Sequence, residues 1–114
     1  MSGISTHVLD TSKGTPGVDV RVVLEREGAP GSWEKLNEGR TDADGRVKNM
    51  LPSGRGLEMA AYRLTFETEP YFAKSGVSTF FPSVTVVFRV MDAGRHHHVP
   101  LLVSPFGYST YRGT

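Results

Sequence analysis

Apolar and polar residues alternate along most of this chain, with the period of a β-strand. Between Val18 and Glu25, Val18, Val20, Val22 and Leu24 are apolar, while Asp19, Arg21 and Glu25 are charged. Tyr62, Leu64 and Phe66 share one face of another segment, and Val84, Val86, Phe88 and Val90 share one face of a third. Strand patterns recur at Ile4–Asp10, Trp33–Thr41, Arg46–Met50 and Val99–Ser104, and a last one runs from Gly107 to the end. Turn-forming clusters separate them: Lys13–Gly17, Gly28–Gly31, Asp42–Gly45 and Pro52–Gly56. About eight short strands with frequent turns predict an all-β, antiparallel β-sandwich. Thr68–Gly76 breaks the alternation. Pro70 suits a first helical position and Gly76 a C-terminal cap, so a short α-helix is expected, with Tyr71 and Phe72 packed onto a sheet.

The segment His96–Ser104 is apolar on both faces. Alternation puts His97 with Val99, Leu101 and Val103, and His98 with Pro100, Leu102 and Ser104. Such a strand is covered on both sides. One cover is the second sheet of the sandwich; the other is a further subunit. The chain therefore reads as an oligomer.

Composition narrows the function. The 114 residues are expected to form one domain spanning 1–114. There is no cysteine, so neither disulfides nor thiolate metal sites arise. The net charge is +1 with both signs dispersed, which predicts no nucleic-acid partner. No apolar run reaches membrane-spanning length, and the first residues show no basic region followed by an apolar one. The cytoplasm is the expected location.

Candidate chemistry gathers around the histidines. His96, His97 and His98 are adjacent, and His7 stands alone in Thr6-His7-Val8-Leu9-Asp10. A solvated strand end is the plain reading of the triplet. His96 and His98 on one face, with His7, would instead form a possible metal set. Arg46 follows a turn, where surface arginine is the ordinary occupant. The ending Tyr111-Arg112-Gly113-Thr114 places an aromatic, a guanidinium and a hydroxyl at a terminus, which predicts that it is tied down.

Three segments together carry a family resemblance. Thr6–Asp10 followed by Gly14-Thr15-Pro16, the stretch Gly39–Arg46, and the run from His98 to Thr114 resemble the 5-hydroxyisourate hydrolase branch of the transthyretin-like proteins. The resemblance covers essentially the whole chain. It implies a transthyretin-like antiparallel β-sandwich of about eight strands in two sheets with one short α-helix. It further implies hydrolysis of 5-hydroxyisourate, with His7, Arg46 and His98 catalytic and Arg112, Tyr111, Thr114 and Ser109 binding substrate. It implies no metal and no cofactor. The implied assembly is a homotetramer, a dimer of dimers with active sites where the dimers meet. The chain departs from the family pattern at Thr114, where serine is usual, and at His97, where tyrosine is common.

Overall fold

The computed structural model describes residues 3–114; Met1 and Ser2, part of the stretch read above for a leader, lie outside them. In chain order the elements are β1 (Gly3–Asp10), β2 (Thr15–Pro16), β3 (Arg21–Glu27), β4 (Trp33–Arg40), β5 (Arg46–Val47), β6 (Ala61–Phe66), α1 (Thr68–Ala73), β7 (Val84–Arg89), β8 (His96–Ser104) and β9 (Gly107–Thr110). They form two sheets. One has the order β2-β1-β8-β9, with β5 also paired to β1, and the other has the order β4-β3-β6-β7. The ninth strand beyond the expected eight is β2, only two residues long.

The apolar faces read from the sequence meet between the sheets. Val20, Val22, Leu24, Tyr62, Leu64, Phe66, Val84, Leu101 and Val103 are all buried there, with Ile4 and Val8 from β1. Burying a side chain of this size stabilises the fold by about 1.5–3 kcal/mol. The buried Tyr62 hydroxyl accepts a hydrogen bond from the Glu58 N–H at 3.0 Å, so its polar end is satisfied.

Two strands are shorter than the alternation predicts. Val18 is left outside the core because Asp19 takes a positive φ of 61°, which breaks extended geometry before β3. The segment Arg46–Met50 keeps only Arg46 and Val47 in β5, although Met50 still turns fully inward and donates its N–H to the Ile4 carbonyl.

The helix lies within the expected Thr68–Gly76, but it begins at Thr68, so Pro70 is its third residue rather than its first. Pro70 occupies the first turn, where its missing N–H costs nothing. Gly76, with φ 68°, closes the C-terminal end. The Val77 N–H reaches the Phe72 carbonyl and the Gly76 N–H reaches that of Ala73. Phe72 is buried against the sandwich, and the Tyr71 hydroxyl donates to Asp10 Oδ2 at 2.7 Å, tying α1 to the end of β1.

One pairing is parallel within an otherwise antiparallel scaffold. β1 runs parallel to β8, in the register Ser5 opposite His98 and His7 opposite Pro100. β5 pairs the other edge of β1, with His7 opposite Arg46. Segments remote in sequence therefore meet at the middle of β1.

Candidate active site

Arg46 is delivered to His7 by a tight turn. Asp42 Oδ1 accepts hydrogen bonds from the N–H groups of Asp44 and Arg46 at 2.9 and 3.0 Å, and the Gly45 N–H donates to the Asp42 carbonyl. These N–H groups, Arg46's foremost, hold the Asp42 carboxyl below its ordinary pKa. Gly45 is required twice. Its φ is 76°, and a Cβ there would lie 2.5 Å from the Val8 carbonyl oxygen. That close approach lets the Val8 N–H bond the Gly45 carbonyl at 2.7 Å and docks the turn on β1.

β8 separates the three histidines as alternation predicts. His97 faces inward, only 5% exposed, with its Nδ1–H donating to the Arg95 carbonyl at 2.9 Å. His96 is exposed and His98 half-buried on the opposite face. Ser5, buried on β1, stands between these two. Its Oγ lies 2.7 Å from His96 Nε2 and 2.8 Å from His98 Nδ1.

The His98 pKa is lowered. Burial is the leading cause, since it disfavours imidazolium, and the charges of His7, Arg46 and His96 act in the same direction. His98 thus stays neutral, and able to accept a proton, into more acidic solution than an ordinary histidine. A recess of about 130 Å³ opens beside it, lined by Ser5, Thr6, Arg46, Val47, Lys48 and His98.

The chain's ending is anchored to the same histidine. β9 pairs with β8 through Thr110, opposite Leu101. At the next rung Pro100 has no N–H to offer, and the Thr110 hydroxyl bonds its carbonyl at 2.7 Å. Pairing resumes where Gly113 lies opposite His98, its N–H donating to the His98 carbonyl at 2.8 Å. Gly113 has to lack a side chain: a Cβ would stand 2.5 Å from His98 Cδ2. The terminus is tied down, as its composition predicts, and the tie is at His98.

The structure brings His7, Arg46 and His98 together within one chain. Of the expected residues only Arg46 and His98 line the recess; His7 stands opposite Arg46 on β1, and the others lie elsewhere. Tyr111 and Arg112 line a second recess of about 180 Å³, between β8 and the β7 segment Val86–Arg89, which His97 and His98 also border. Ser109 lies opposite Leu102, and Thr114 is exposed at the end. Among the described residues, only His98 touches both recesses. Among the described residues no three His, Cys, Asp or Glu side chains form a metal-holding group; His96 and His98 converge on the Ser5 hydroxyl instead.

Sequence reasoning missed Ser5 and Lys48. Ser5 precedes His7 by two positions, so alternation alone puts both on one face of β1. Its place beside His98 depends on the parallel register, which periodicity does not reveal. Lys48 follows Arg46 by two positions and adds a second cation to the recess.

A neutral imidazole flanked by a second imidazole, a guanidinium and an ammonium can take a proton from water while stabilising negative charge on an adjacent oxygen. The likenesses to known proteins agree with this chemistry. The HIUase/Transthyretin family model matches residues 4–113. The 5-hydroxyisourate hydrolase of Caulobacter vibrioides is 47% identical over 120 residues, covering all of both chains. The structure of Klebsiella pneumoniae 5-hydroxyisourate hydrolase superimposes with a TM-score of 0.85 at 41% identity, over 99% of this chain and 100% of that one. Sea bream transthyretin in complex with thyroxine superimposes with a TM-score of 0.90 at 31% identity, over 98% and 95% of the two chains. On the extent of that match and the level of those identities, this chain belongs to the HIUase/Transthyretin family.

Proposed function

We propose that this chain hydrolyses 5-hydroxyisourate to 2-oxo-4-hydroxy-4-carboxy-5-ureidoimidazoline, as a step of urate degradation. The observation that carries the reading is the half-buried His98, kept neutral beside His7 and Arg46 at the mouth of a small polar recess. The reaction adds water across a ring C–N bond. A base near neutral pH takes the water proton, and the histidine pair supplies it. Arg46 presents a planar, charged fork to the amide-rich substrate and disfavours imidazolium at His98. Charge developing on the attacked carbonyl oxygen is met by a guanidinium, Arg46 within the chain or Arg112 of the terminal motif. Tyr111, Ser109 and Thr114 complete the pocket. Water attacks directly, and no covalent intermediate is required.

A carrier of the transthyretin kind shares this fold, but a proton acceptor set among cations serves hydrolysis rather than carriage. Identity is also higher to the hydrolases named above than to the sea bream transthyretin.

The proposed assembly is a homotetramer, a dimer of dimers. Among the described residues β9 is one edge strand of its sheet and β7 one edge strand of the other, with β2 and β4 at the opposite edges. Phe80, Val87, Phe106, Tyr108 and Tyr111, on β7 and β9 or next to them, are exposed. Unpaired edges with apolar side chains favour pairing with a second copy. The recess lined by Arg112 borders the β7 edge, so such a dimer would enclose it. The half-buried Leu102, on the His98 face, would meet the second dimer.

The test is to generate 5-hydroxyisourate with urate oxidase and follow its ultraviolet absorbance. Wild type accelerates the decay. His7→Ala and Arg46→Ala each lose about 10²-fold or more of the rate while keeping the fold. Undiminished rates in both would overturn the assignment.

A further inference from the structure

The Ser5 hydroxyl carries one proton and is in contact with two ring nitrogens, His96 Nε2 at 2.7 Å and His98 Nδ1 at 2.8 Å. It can donate to only one of them and must accept from the other. Two arrangements satisfy both contacts. In one, Ser5 donates to His98 Nδ1; the His98 proton then sits on Nε2, and its only lone pair is occupied by serine. In the other, His98 Nδ1–H donates to Ser5, Ser5 donates to His96 Nε2, and His98 Nε2 keeps a free lone pair.

Only the second arrangement is compatible with a proton entering and leaving His98. When Nε2 takes a proton, Nδ1–H still donates to Ser5, and no bond in the row has to reverse. His96 is exposed, so its own Nδ1–H is satisfied by water while Nε2 accepts from serine. Ser5 is held for this task. It is 9% exposed, and the β1–β8 register sets it directly opposite His98. On the other side, Gly113 gives the ring its place, since any side chain there would run into His98 Cδ2.

We propose that Ser5 is a positioning residue of this site, fixing the tautomer of His98 through a row running His98 Nδ1–H to Ser5 to His96 Nε2. His96 is thereby the acceptor that orients Ser5, and His98 Nε2 is the base. The inference deepens the hydrolase reading and rests on it for the role of the base. The tautomer itself can be measured without any substrate.

Long-range proton–nitrogen NMR of the intact protein, with the histidines neutral, shows which nitrogen of His98 carries the proton. Wild type is expected to show Nδ1–H. Ser5→Ala shifts His98 toward Nε2–H, and kcat falls about ten- to a hundredfold, as when the partner fixing a working imidazole is lost. KM stays near wild type. Ser5→Thr, which keeps the hydroxyl, restores tautomer and rate. His96→Ala, at an exposed position that does not threaten folding, moves both in the same direction as Ser5→Ala. An Nε2–H tautomer in wild type overturns the proposal, as does an unchanged tautomer in both Ser5→Ala and His96→Ala. If wild type shows Nδ1–H but does not hydrolyse 5-hydroxyisourate, the hydrolase reading fails while the hydrogen-bond row stands.

Discussion

Gly113 and Arg46 act on His98 from opposite sides. Gly113 gives the imidazole its space, so Gly113→Ala forces a methyl group to 2.5 Å from Cδ2. The expected result is a loss of about 1–3 kcal/mol in denaturant unfolding and a larger fall in kcat than in stability-matched surface variants. Arg46 acts through charge. His98 has a lowered pKa, caused by burial and then by His7, Arg46 and His96. Lys48 is a further cation lining the same recess. The acid limb of kcat/KM against pH should therefore lie below the ordinary histidine range. In Arg46→Ala one like charge is gone, so imidazolium forms more readily and that limb moves to higher pH in the residual activity. A limb that stays put would show that Arg46 does not tune His98.

At the scale of elements, the bond from the Tyr71 hydroxyl to Asp10 ties α1 to β1 and has a clear pH signature. Burial pushes the Asp10 carboxyl up, but hydrogen bonds from Ser12, Tyr71 and the backbone of Ser12 and Lys13 together bring it below its ordinary value. Burial and Asp10 push the Tyr71 hydroxyl up to about 12. A lowered carboxyl stabilises the fold above its unfolded pKa, and the gain is lost as pH falls through the folded value. A raised phenol stabilises it below the unfolded pKa, and the gain is lost as pH climbs through about 12. Tyr71→Phe should cost about 1.5–3 kcal/mol at neutral pH and move acid unfolding to higher pH, followed by circular dichroism. An unmoved acid midpoint would rule out this contact as the helix anchor.

Elements also decide what the sequence could reveal. The buried faces of β3, β6 and β7 were legible because period two is a local property. So were the inward His97 and the outward His98, by the same rule. The start of β3 was not, since a positive φ at Asp19 leaves no mark in the alternation. The meeting of His7, Arg46 and His98 is not local either. It depends on β1 pairing in parallel with β8 and antiparallel with β5, and the family resemblance supplied it where periodicity could not. Ser5 escaped both readings, because a serine beside a histidine acquires meaning only from register.

For the whole molecule, the site is divided. One chain supplies Arg46 and His98 at one recess, with His7 paired opposite Arg46, and presents Tyr111 and Arg112 at another, toward a sheet edge. In the proposed assembly, contacts between copies close both recesses. Leu102→Arg, on the His98 face but outside both recesses, should lower the assembly state in analytical ultracentrifugation and remove most activity with the sandwich intact. A fully active monomer would contradict the inter-subunit site.

The most direct measurement compares wild type with His98→Asn on freshly generated 5-hydroxyisourate, followed by ultraviolet decay. Asparagine keeps an N–H donor near the position of Nδ1 and deletes Nε2, so packing is conserved and only the proposed base is removed. The account predicts a large acceleration by wild type and a loss of about 10²-fold or more in the variant. A wild-type protein with no effect on the decay, or a variant as fast as wild type, would contradict it.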